Sequence, residues 1–439
     1  MNSDSTSHFS RRHFISTTAA AVGAGSIALP GLIDLKAAAD GTGETDHFWY
    51  RLAPKDGPYI DSHHENKAFA RGDGKIMLSE DNCKTWAHSL DFPNADEVNF
   101  SCILGNGNVV FATGAKLYLS TDNLKAHRQI VVKDLDGSDY IEHTPKDPEK
   151  PGHYYHSLDG VHTWEIDGEE ILVWGNYTNV IGGSAPVNIY YSTDHGETVK
   201  IAYSFGQNPK FQEKGTDLEK DPLLGAEDNP VICRHLHCVT YNPEENAFYA
   251  CSGDIDRGFG NECHWLRGTY DKKADTWDWK VIVSVNSNSR HKSGGIHFID
   301  GEVYWAADAN GPKTIRETYD RGIFHCKPED IPNLDKHTNM HNPGYEIGVM
   351  MIEDDFIIAA HCAPASPHDC GFLVSPDLGK TWKQYDLKEF GKRSGVRFHE
   401  KNSEGWIRVD LRTGWVDPCD VLFIKPKPVA QMIRRNRGG

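Results

Sequence analysis

The stretch that decides the fold is Val374-Ser375-Pro376-Asp377-Leu378-Gly379-Lys380-Thr381-Trp382. Two further copies of its Ser, Asp and Thr spacing stand at 78–86 and 191–198, and a degenerate copy stands at 119–125. In each copy the aspartate side chain can cap its own turn, and the glycine, where present, supplies a backbone angle that other residues avoid. The repetition therefore predicts the same tight turn in several copies of one structural unit.

Short runs of Val, Ile, Tyr, Phe and Trp fill the chain beyond residue 45, which has almost no helical periodicity. Examples lie at 108–112, 170–174, 247–250, 302–305 and 356–359, each after a tight polar turn such as Asp167-Gly168. Strands and turns in this alternation are a repeated hairpin signal. They predict an all-β sandwich, barrel or propeller.

The Ser-x-Asp-x-Gly-x-Thr-Trp pattern resembles the Asp-box (BNR repeat) of sialidase-like propellers. In that family the motif is a hairpin between the outer two strands of a blade, and its Trp packs between blades. The resemblance predicts a single β-propeller over residues 40–439 with Asp-box hairpins. At about 40–60 residues per blade this length favours seven blades, with six or eight as alternatives.

The N-terminal 39 residues have the features of an export signal. Arg11 and Arg12 precede a short apolar run at 19–29, and Ala37-Ala38-Ala39 suits a signal peptidase. This order predicts a twin-arginine (Tat) signal peptide over 1–39 and a periplasmic or secreted protein. The alternative is a disordered tail that contains two arginines, and no later stretch is typical of a membrane span.

Charge composition limits the class of partner. The chain has 46 Lys and Arg against 63 Asp and Glu, a formal net charge of -17. Nucleic acid is an unfavourable partner because phosphate binding needs an excess of basic residues. An anionic substrate would need a locally basic cleft. The oligomeric state does not follow from the sequence.

Propeller topology indicates which polar residues lie on the face that usually binds ligand. The innermost strand of a blade begins on the face that usually binds ligand, and the next strand ends on that face. Candidate inner strands begin near Asn99, His156, Arg234, His291, Tyr345 and Val396, and their partners end near Thr113, Tyr177, Asp254, Asp308 and His361. His63 and His64 are assigned to the blade that closes the ring.

The first candidate site consists of His156, Tyr177 and Arg234. These residue types suit β-elimination from a uronic acid. An arginine neutralises the carboxylate and makes the neighbouring carbon–hydrogen bond more acidic. Histidine and tyrosine then remove that proton and protonate the leaving glycosidic oxygen. Ordinary packing of His156 and Tyr177 between blades is the alternative.

At these residues, and at Arg234-His235-Leu236-His237, the chain resembles the propeller-type polysaccharide lyases, the ulvan lyases in particular. That family is seven-bladed, uses His, Tyr and Arg in this way, and carries a structural zinc. The resemblance implies that His156 is an acid/base group and that Arg234 neutralises the carboxylate. Tyr177 stands where members of the family can have a second histidine, and a further family tyrosine has no clear counterpart in 205–230.

A second cluster combines cysteine and histidine between residues 233 and 264. On a strand, Cys233, His235 and His237 share one face. Sulfur together with imidazole favours zinc. The predicted ligands of a structural zinc ion are His235, Cys251 and Cys263 with His291 fourth; His264 and His237 are alternatives for that position. A disulfide between Cys251 and Cys263 is the competing interpretation.

The remaining candidates concern the substrate. Lys292, Tyr345 and His361 are predicted to bind it, with Lys292 acting as a point charge toward sulfate or carboxylate groups. The function favoured by the sequence is an exported lyase that cleaves an acidic, uronate-containing polysaccharide. One alternative is a sialidase-like glycoside hydrolase, in which Arg51, Arg234 and Arg397 would be the carboxylate-binding arginines. A non-catalytic propeller that binds glycan or protein is another.

Overall fold

The computed structural model describes residues 42–51, 58–114, 116–140, 155, 157, 161–177, 186–206, 229, 231–253, 263–285, 289–308, 321–345, 347–361, 371–386, 396–411 and 420–435. Seven sheets, antiparallel except for one short edge strand, account for nearly all of its secondary structure. The first half of the chain forms β1 (Thr42–Glu44), β2 (Phe48–Arg51), β3 (Tyr59–His64), β4 (Lys67–Gly72), β5 (Lys75–Ser79), β6 (His88–Asp91), β7 (Val98–Ile103), β8 (Val109–Thr113), β9 (Lys116–Ser120), β10 (Arg128–Ile130), β11 (Val132–Lys133), β12 (His162–Ile166), β13 (Glu169–Gly175), β14 (Asn188–Ser192) and β15 (Val199–Ser204). The second half forms β16 (His235–Asn242), β17 (Ala247–Gly253), β18 (Cys263–Asp271), β19 (Thr276–Val285), β20 (Ser293–Ile299), β21 (Glu302–Ala307), β22 (Gly322–Cys326), β23 (Thr338–His341), β24 (Val349–Glu353), β25 (Phe356–His361), β26 (Gly371–Ser375), β27 (Lys383–Asp386), β28 (Val396–Lys401), β29 (Ile407–Leu411), β30 (Asp420–Ile424) and helix α1 (Pro426–Arg435).

Each sheet is one blade of a seven-bladed β-propeller, which confirms the predicted fold class and blade number. Blades 1, 2, 4, 5 and 6 are four-stranded meanders that begin at β3, β7, β16, β20 and β24. Blade 3 is β12–β15, with the short β11 added in parallel beside β15. The predicted starts of the inner strands and ends of their partners agree with the observed strands to within four residues, except that β12 begins at His162, six residues after His156.

The seventh blade closes the ring with strands from both ends of the described chain. β28, β29 and β30 pair in order, and β2 and β1 complete the sheet beyond β30. Trp49 of β2 packs on Phe423 of β30 with ring centroids 5.5 Å apart. The assignment of His63 and His64 to this blade was wrong: both lie on β3, the inner strand of blade 1, because the closing strand β2 is complete before β3 begins.

The Ser and Asp repeats lie between the third and fourth strands of blades 1, 2, 3 and 6. In blade 6 the Ser375 hydroxyl donates to Asp377 and accepts from the Gly379 N–H at 2.7 Å, while Asp377 accepts from the Thr381 N–H at 2.8 Å. The other three copies form equivalent bonds. The four similar sequences therefore each form the same type of hydrogen-bonded turn, at the outer edge of four blades.

The core lies between adjacent blades, because each sheet buries both of its faces. Trp174, Trp265 and Trp305 are among the largest fully buried side chains. Helix α1 packs Val429 and Ile433 against the core shared by blades 6 and 7. Short 3₁₀ turns stand at 95–97, 328–330 and 334–336.

In the part of the chain that the structure describes, no helix is long and apolar enough to span a membrane. The predicted signal peptide, residues 1–39, lies outside the described residues, so its assignment stays a prediction.

Candidate functional site

Five polar side chains from three adjacent blades meet on the face where inner strands begin. They are Tyr177 after β13, His235 and His237 on β16, Lys292 before β20, and Asp308 after β21. The sequence distributed these residues over three separate groups, and the tertiary structure brings them into one cluster. We call it the blade 3–5 cluster.

Close packing between blades 3 and 4 places Tyr177. Gly175 ends β13 so close to Leu236 that an added Cβ atom would lie 2.1 Å from its Cδ1. The buried Asn176 side chain accepts from the Asn188 N–H at 2.7 Å, and the Asn176 carbonyl accepts from the Leu236 N–H at 3.1 Å. Tyr177 is thereby held over the start of β16.

The three rings of the cluster form a compact group. The Tyr177 ring stacks on His235 with centroids 3.6 Å apart and an interplanar angle of 16°. His237 lies edge-on to both, at 5.9 Å from Tyr177 and 5.1 Å from His235. His235 and His237 thus share one side of their strand, as the sequence predicted. Tyr177 is half-buried, and both imidazoles are fully buried.

A shared carboxylate connects His237 with Lys292. The Asp308 Oδ2 atom lies 3.4 Å from Lys292 Nζ and 3.7 Å from His237 Nδ1. The Asp308 N–H donates to the Lys292 carbonyl at 2.7 Å, which holds the two segments together. Lys292 is only 1% exposed, and burial of a lysine is costly without such a partner.

Gly253, at the end of β17, packs closely against these side chains. It pairs with His235 across the sheet. An added Cβ atom would lie 3.0 Å from Lys292 Cγ and 3.1 Å from His237 Nε2. A side chain at this position would therefore crowd the lysine and the imidazole.

Of the predicted catalytic residues, Tyr177 belongs to this cluster. Arg234 immediately precedes β16 and is half-buried beside Tyr177's segment. His156 lies outside the described residues, between the described Tyr155 and Ser157. The backbone carbonyl of Ser157 accepts from Arg397 Nη2 at 3.3 Å.

The predicted substrate-binding residues have different environments. Lys292 belongs to the blade 3–5 cluster. Tyr345 is buried elsewhere, and its hydroxyl donates to Gln384 on the outermost strand of blade 6 at 2.9 Å. Its burial raises its pKa. The His361 backbone ends β25 as expected, but its side chain lies outside what the structure describes.

The predicted zinc ligands do not present their donor atoms to one another. The Cys251 thiol donates to the His291 carbonyl at 3.2 Å. Nε2 of the His291 ring forms a hydrogen bond with the Ile331 carbonyl at 2.9 Å, and burial lowers the pKa of His291 to about 4. Within the described ranges, no group of three His, Cys, Asp or Glu side chains could hold a metal ion. As arranged here, Cys251 and His291 do not fit a zinc shell.

The other candidates for this metal site are also placed in the structure. Cys263 is buried with Cys251 in the core between blades 4 and 5. Cys251 carries a thiol, so the competing disulfide with Cys263 is not formed. The His264 ring lies between the Ile232 carbonyl at 2.9 Å and the Ser284 hydroxyl at 2.9 Å, and its burial lowers its pKa to about 4.

A second polar network lies across the closure of the ring. Arg397 at the start of β28 contacts the Asp61 carboxylate at 3.3 Å, and Ser101 donates to the same carboxylate at 2.7 Å. All three are buried. Because its guanidinium already forms hydrogen bonds with Asp61 and Ser157, Arg397 is poorly placed to be one of three substrate-binding arginines.

One further polar pair consists of Glu400 on β28 and His162 on β12. Glu400 accepts from His162 Nδ1 at 3.1 Å in a cavity of about 390 Å³. Burial alone would raise the pKa of Glu400, but the hydrogen bond and charge of His162 hold it below its ordinary value. This pair links the inner strands of blades 3 and 7.

No family model matches the chain, and no curated protein matches it at a significant level. Similar solved structures include YCF48 bound to a D1 peptide, with 12% identity, a TM-score of 0.47, and coverage of 88% of this chain and 97% of that one. A streptogramin B lyase has 12% identity, a TM-score of 0.46, and coverage of 86% and 98%. An ancestral GH74 enzyme has 12% identity, a TM-score of 0.47, and coverage of 88% and 51%. At such low similarity these structures carry no argument about function, and the fold assignment depends on the seven sheets themselves.

Proposed function

We propose that the protein is an exported polysaccharide lyase that cleaves a uronate-containing polymer by β-elimination at the blade 3–5 cluster. The observation that carries the proposal is the convergence of Tyr177, two imidazoles, Lys292 and Asp308 on the face where inner strands begin. Kinship with the Asp-box propellers and the ulvan lyases is part of this proposal.

Electrostatics favours an anionic substrate at this place. The whole chain carries a net charge of -17 and repels polyanions at long range. The cluster instead contains the buried ammonium of Lys292, which Asp308 partly balances, and Arg234 stands at the adjacent start of β16. Preorganised positive groups in a site from which water is excluded stabilise developing negative charge far better than the same groups in water.

The residues supply the groups that β-elimination requires. Arg234 neutralises the uronate carboxylate, which acidifies the adjacent C5–H bond. A base takes that proton, the C–H electron pair forms the C4–C5 double bond, and the C4–O bond breaks. Tyr177 is proposed to protonate the leaving oxygen, and the proton later returns to it from the base. The sequence assigns His156 to this acid/base pair.

Product chemistry tests the proposal directly. The purified mature protein is incubated with a panel of uronate polysaccharides that includes ulvan, and the ultraviolet absorbance of the unsaturated sugar is followed. A lyase raises the absorbance. New reducing ends without absorbance would replace the proposal with a hydrolase, and neither signal would replace it with a non-catalytic binding propeller.

Arg234→Ala tests the assignment of the carboxylate-binding residue. Loss of a group that stabilises the developing negative charge should lower kcat/KM at least about a hundredfold. Arg267→Ala is the matched control, because Arg267 on β18 pairs at 2.8 Å with Glu245 in the turn between β16 and β17. Near-normal turnover by the Arg234 variant, with melting temperatures equal to wild type, would remove Arg234 from the mechanism.

A structural zinc ion also stays a proposal, drawn from the Cys and His composition of 233–264. The contacts of Cys251 and His291 weigh against that particular set of ligands. Metal analysis of the purified protein tests it: about one zinc per chain would support a site with other ligands, and its absence would end the proposal.

A further inference from the structure

We infer that Arg71 of blade 1 and Thr113 of blade 2 form a binding site for an oxyanion, a carboxylate or sulfate group, on the face where inner strands begin. Both residues lie outside the blade 3–5 cluster, and no step of the proposed elimination uses them. The inference therefore does not depend on the proposed function.

Packing between blades 1 and 2 brings the two residues together. Phe69 of β4 stacks on Phe111 of β8 with ring centroids 5.8 Å apart. Arg71 and Thr113 each follow two positions later, so each lies on the same side of its strand as that phenylalanine. β4 and β8 are the second strands of their blades and both end on this face. Both residues therefore stand about 7 Å beyond the stacked rings, at the surface end of the interface.

Arg71 is a buried cation that lacks a charged partner among the residues that the structure describes. It is 8% exposed, and its Nε atom is buried without a hydrogen-bond partner. Its guanidinium carbon lies 4.3 Å from the centroid of the Tyr59 ring, which attracts the charge but cannot accept the in-plane N–H hydrogen bonds. Burial of a charge is costly unless the charge is paired and hydrogen-bonded.

Nearby acidic side chains do not neutralise this guanidinium. Asp61 on the adjacent β3 contacts Arg397 instead, at 3.3 Å. Asp73 after β4, and Asp96 and Glu97 before β7, have exposed side chains. Exposed carboxylates keep their hydration and interact only weakly with charges at a distance. The complementary negative charge is therefore expected from a ligand.

Thr113 supplies a hydroxyl from the facing blade. This residue is 5% exposed, and its Oγ1 atom is buried without a hydrogen-bond partner in the described part of the chain. Buried polar atoms in native proteins are almost always hydrogen-bonded. Two that are not, one from each blade at the same end of the same interface, indicate a shared ligand.

An oxyanion satisfies both groups. A planar guanidinium donates two parallel N–H bonds to the oxygen atoms of a carboxylate or sulfate, and a threonine hydroxyl donates one more. The stacked Tyr59 ring holds the guanidinium in place, so little side-chain freedom is lost on binding. A charged group of a polysaccharide and a free inorganic oxyanion present the same oxygen atoms to this site.

Thermal unfolding with added sulfate, phosphate or acetate tests the site, with the ionic strength kept constant by sodium chloride. The wild-type protein should show a saturable rise in melting temperature, because a ligand that binds only the folded state stabilises it. Arg71→Met keeps the aliphatic stem and should abolish the rise. Arg267→Met is the matched control and should keep it, since Arg267 already pairs with Glu245 at 2.8 Å.

Thr113→Val provides a second variant that keeps the shape of the side chain. Loss of one donor to a charged ligand should weaken the apparent affinity for the anion about tenfold. In buffer without the three anions, its melting temperature should equal or exceed that of wild type, because a buried hydroxyl without a partner is replaced by a methyl group. A fall of several degrees would show that the hydroxyl already has a partner, and would remove Thr113 from the site.

A uronate oligosaccharide distinguishes the two sources of the anion. Calorimetry measures its binding to wild type and to Arg71→Met, with and without saturating sulfate. Weaker binding by the variant, together with competition by sulfate, would assign the site to charged groups of a polysaccharide. Unchanged oligosaccharide binding, with the sulfate response lost, would assign it to a free oxyanion.

Two results would overturn the inference. One is a wild-type protein that responds saturably to none of the three anions and to no oligosaccharide. The other is an equal response from wild type and Arg71→Met, which would reduce the stabilisation to a general salt effect. Neither measurement uses lyase activity, so the outcome is separate from that of the proposed function.

Discussion

At the scale of single residues, the site is determined as much by small side chains as by reactive ones. Gly175 lets blades 3 and 4 approach until Tyr177 covers His235, and Gly253 lets Lys292 and His237 pack against its backbone. Neither glycine has the positive φ that turns require. Their role is steric: each permits a close approach that a Cβ atom would prevent.

Gly253→Ala should therefore impair the site more than the fold. The added methyl would contact Lys292 Cγ and His237 Nε2, so both side chains must shift by a few tenths of an ångström. Shifts of this size at a catalytic group are costly, and we expect kcat/KM to fall at least about tenfold.

Gly348→Ala is the control, because a Cβ atom at Gly348 has no neighbour within 4 Å. Kinetics and melting temperature are measured for both variants. Equal kinetics for the two would show that the positions of Lys292 and His237 beside Gly253 do not affect turnover.

At this scale the sequence predicts which residues lie at a polar site better than it predicts which of them are in contact. It selected Tyr177, Arg234, His235 and Lys292, and these lie at or beside one cluster. It could not join His237 with Asp308, because 71 positions separate them in the chain. The β-bulge that a register shift places at His237 also has no sequence signature of its own. Only the stacking of blade 4 against blade 5 brings the two residues together.

At the scale of elements, the four Ser and Asp repeats stabilise the outer hairpins of four blades by the same hydrogen bonds. In each, one serine hydroxyl and one aspartate carboxylate satisfy backbone N–H groups that the turn leaves without strand partners. Burial raises the pKa of Asp81, but hydrogen bonds from Thr85 and Ser79 outweigh it, so the net pKa lies below its ordinary value. The Asp81 carboxylate is thus held in its charged form.

Asp377→Ala should destabilise blade 6 without affecting catalysis. The Thr381 N–H loses its acceptor and Ser375 loses its partner, which should lower the free energy of unfolding by about 1–2 kcal/mol. Asp278→Ala, at an exposed position on the outermost strand of blade 4, should change it by less than about 0.5 kcal/mol.

Urea denaturation measures both variants, and turnover is assayed in parallel. A loss of activity in folded Asp377→Ala would mean that the outer turns influence the site, contrary to the separation of the two regions described above.

At the scale of the whole molecule, several histidines are buried in a neutral state. Burial lowers the pKa of His264, His291, His297 and His399 to about 4 in each case. Backbone carbonyls accept from the first three, and Asp410 contacts His399 at 2.8 Å. In the unfolded chain these imidazoles would titrate near their ordinary value of about 6.5.

Stability should therefore fall with acidification between about pH 6.5 and pH 4. Above this window both states are neutral, so the histidines have no effect on the pH dependence. Within it, the unfolded chain binds protons that the native state does not. Each histidine then lowers the free energy of unfolding by about 1.4 kcal/mol per pH unit.

Urea denaturation at steps from pH 7.5 to 4.5 tests this expectation. His291→Gln should reduce the slope by about one proton, whatever its effect on stability at pH 7.5. A free energy of unfolding that stays constant between pH 7 and pH 5 would contradict the assignment of these histidines as buried and neutral.

The sequence by itself determined the all-β class and the place of the outer turns, and it favoured seven blades over six or eight. These features follow from local interactions, because strand alternation, tight turns and Ser–Asp hydrogen bonds involve residues close together in the chain. Composition also restricted the partner, since a net charge of -17 disfavours nucleic acid.

The tertiary structure alone decided which polar residues meet. Ring closure placed His63 on the first blade, and the packing of blades 3, 4 and 5 joined Tyr177, His237 and Asp308. The same packing turned Cys251 and His291 toward backbone partners. Contacts between blades depend on how whole sheets stack, and no short stretch of sequence encodes that arrangement.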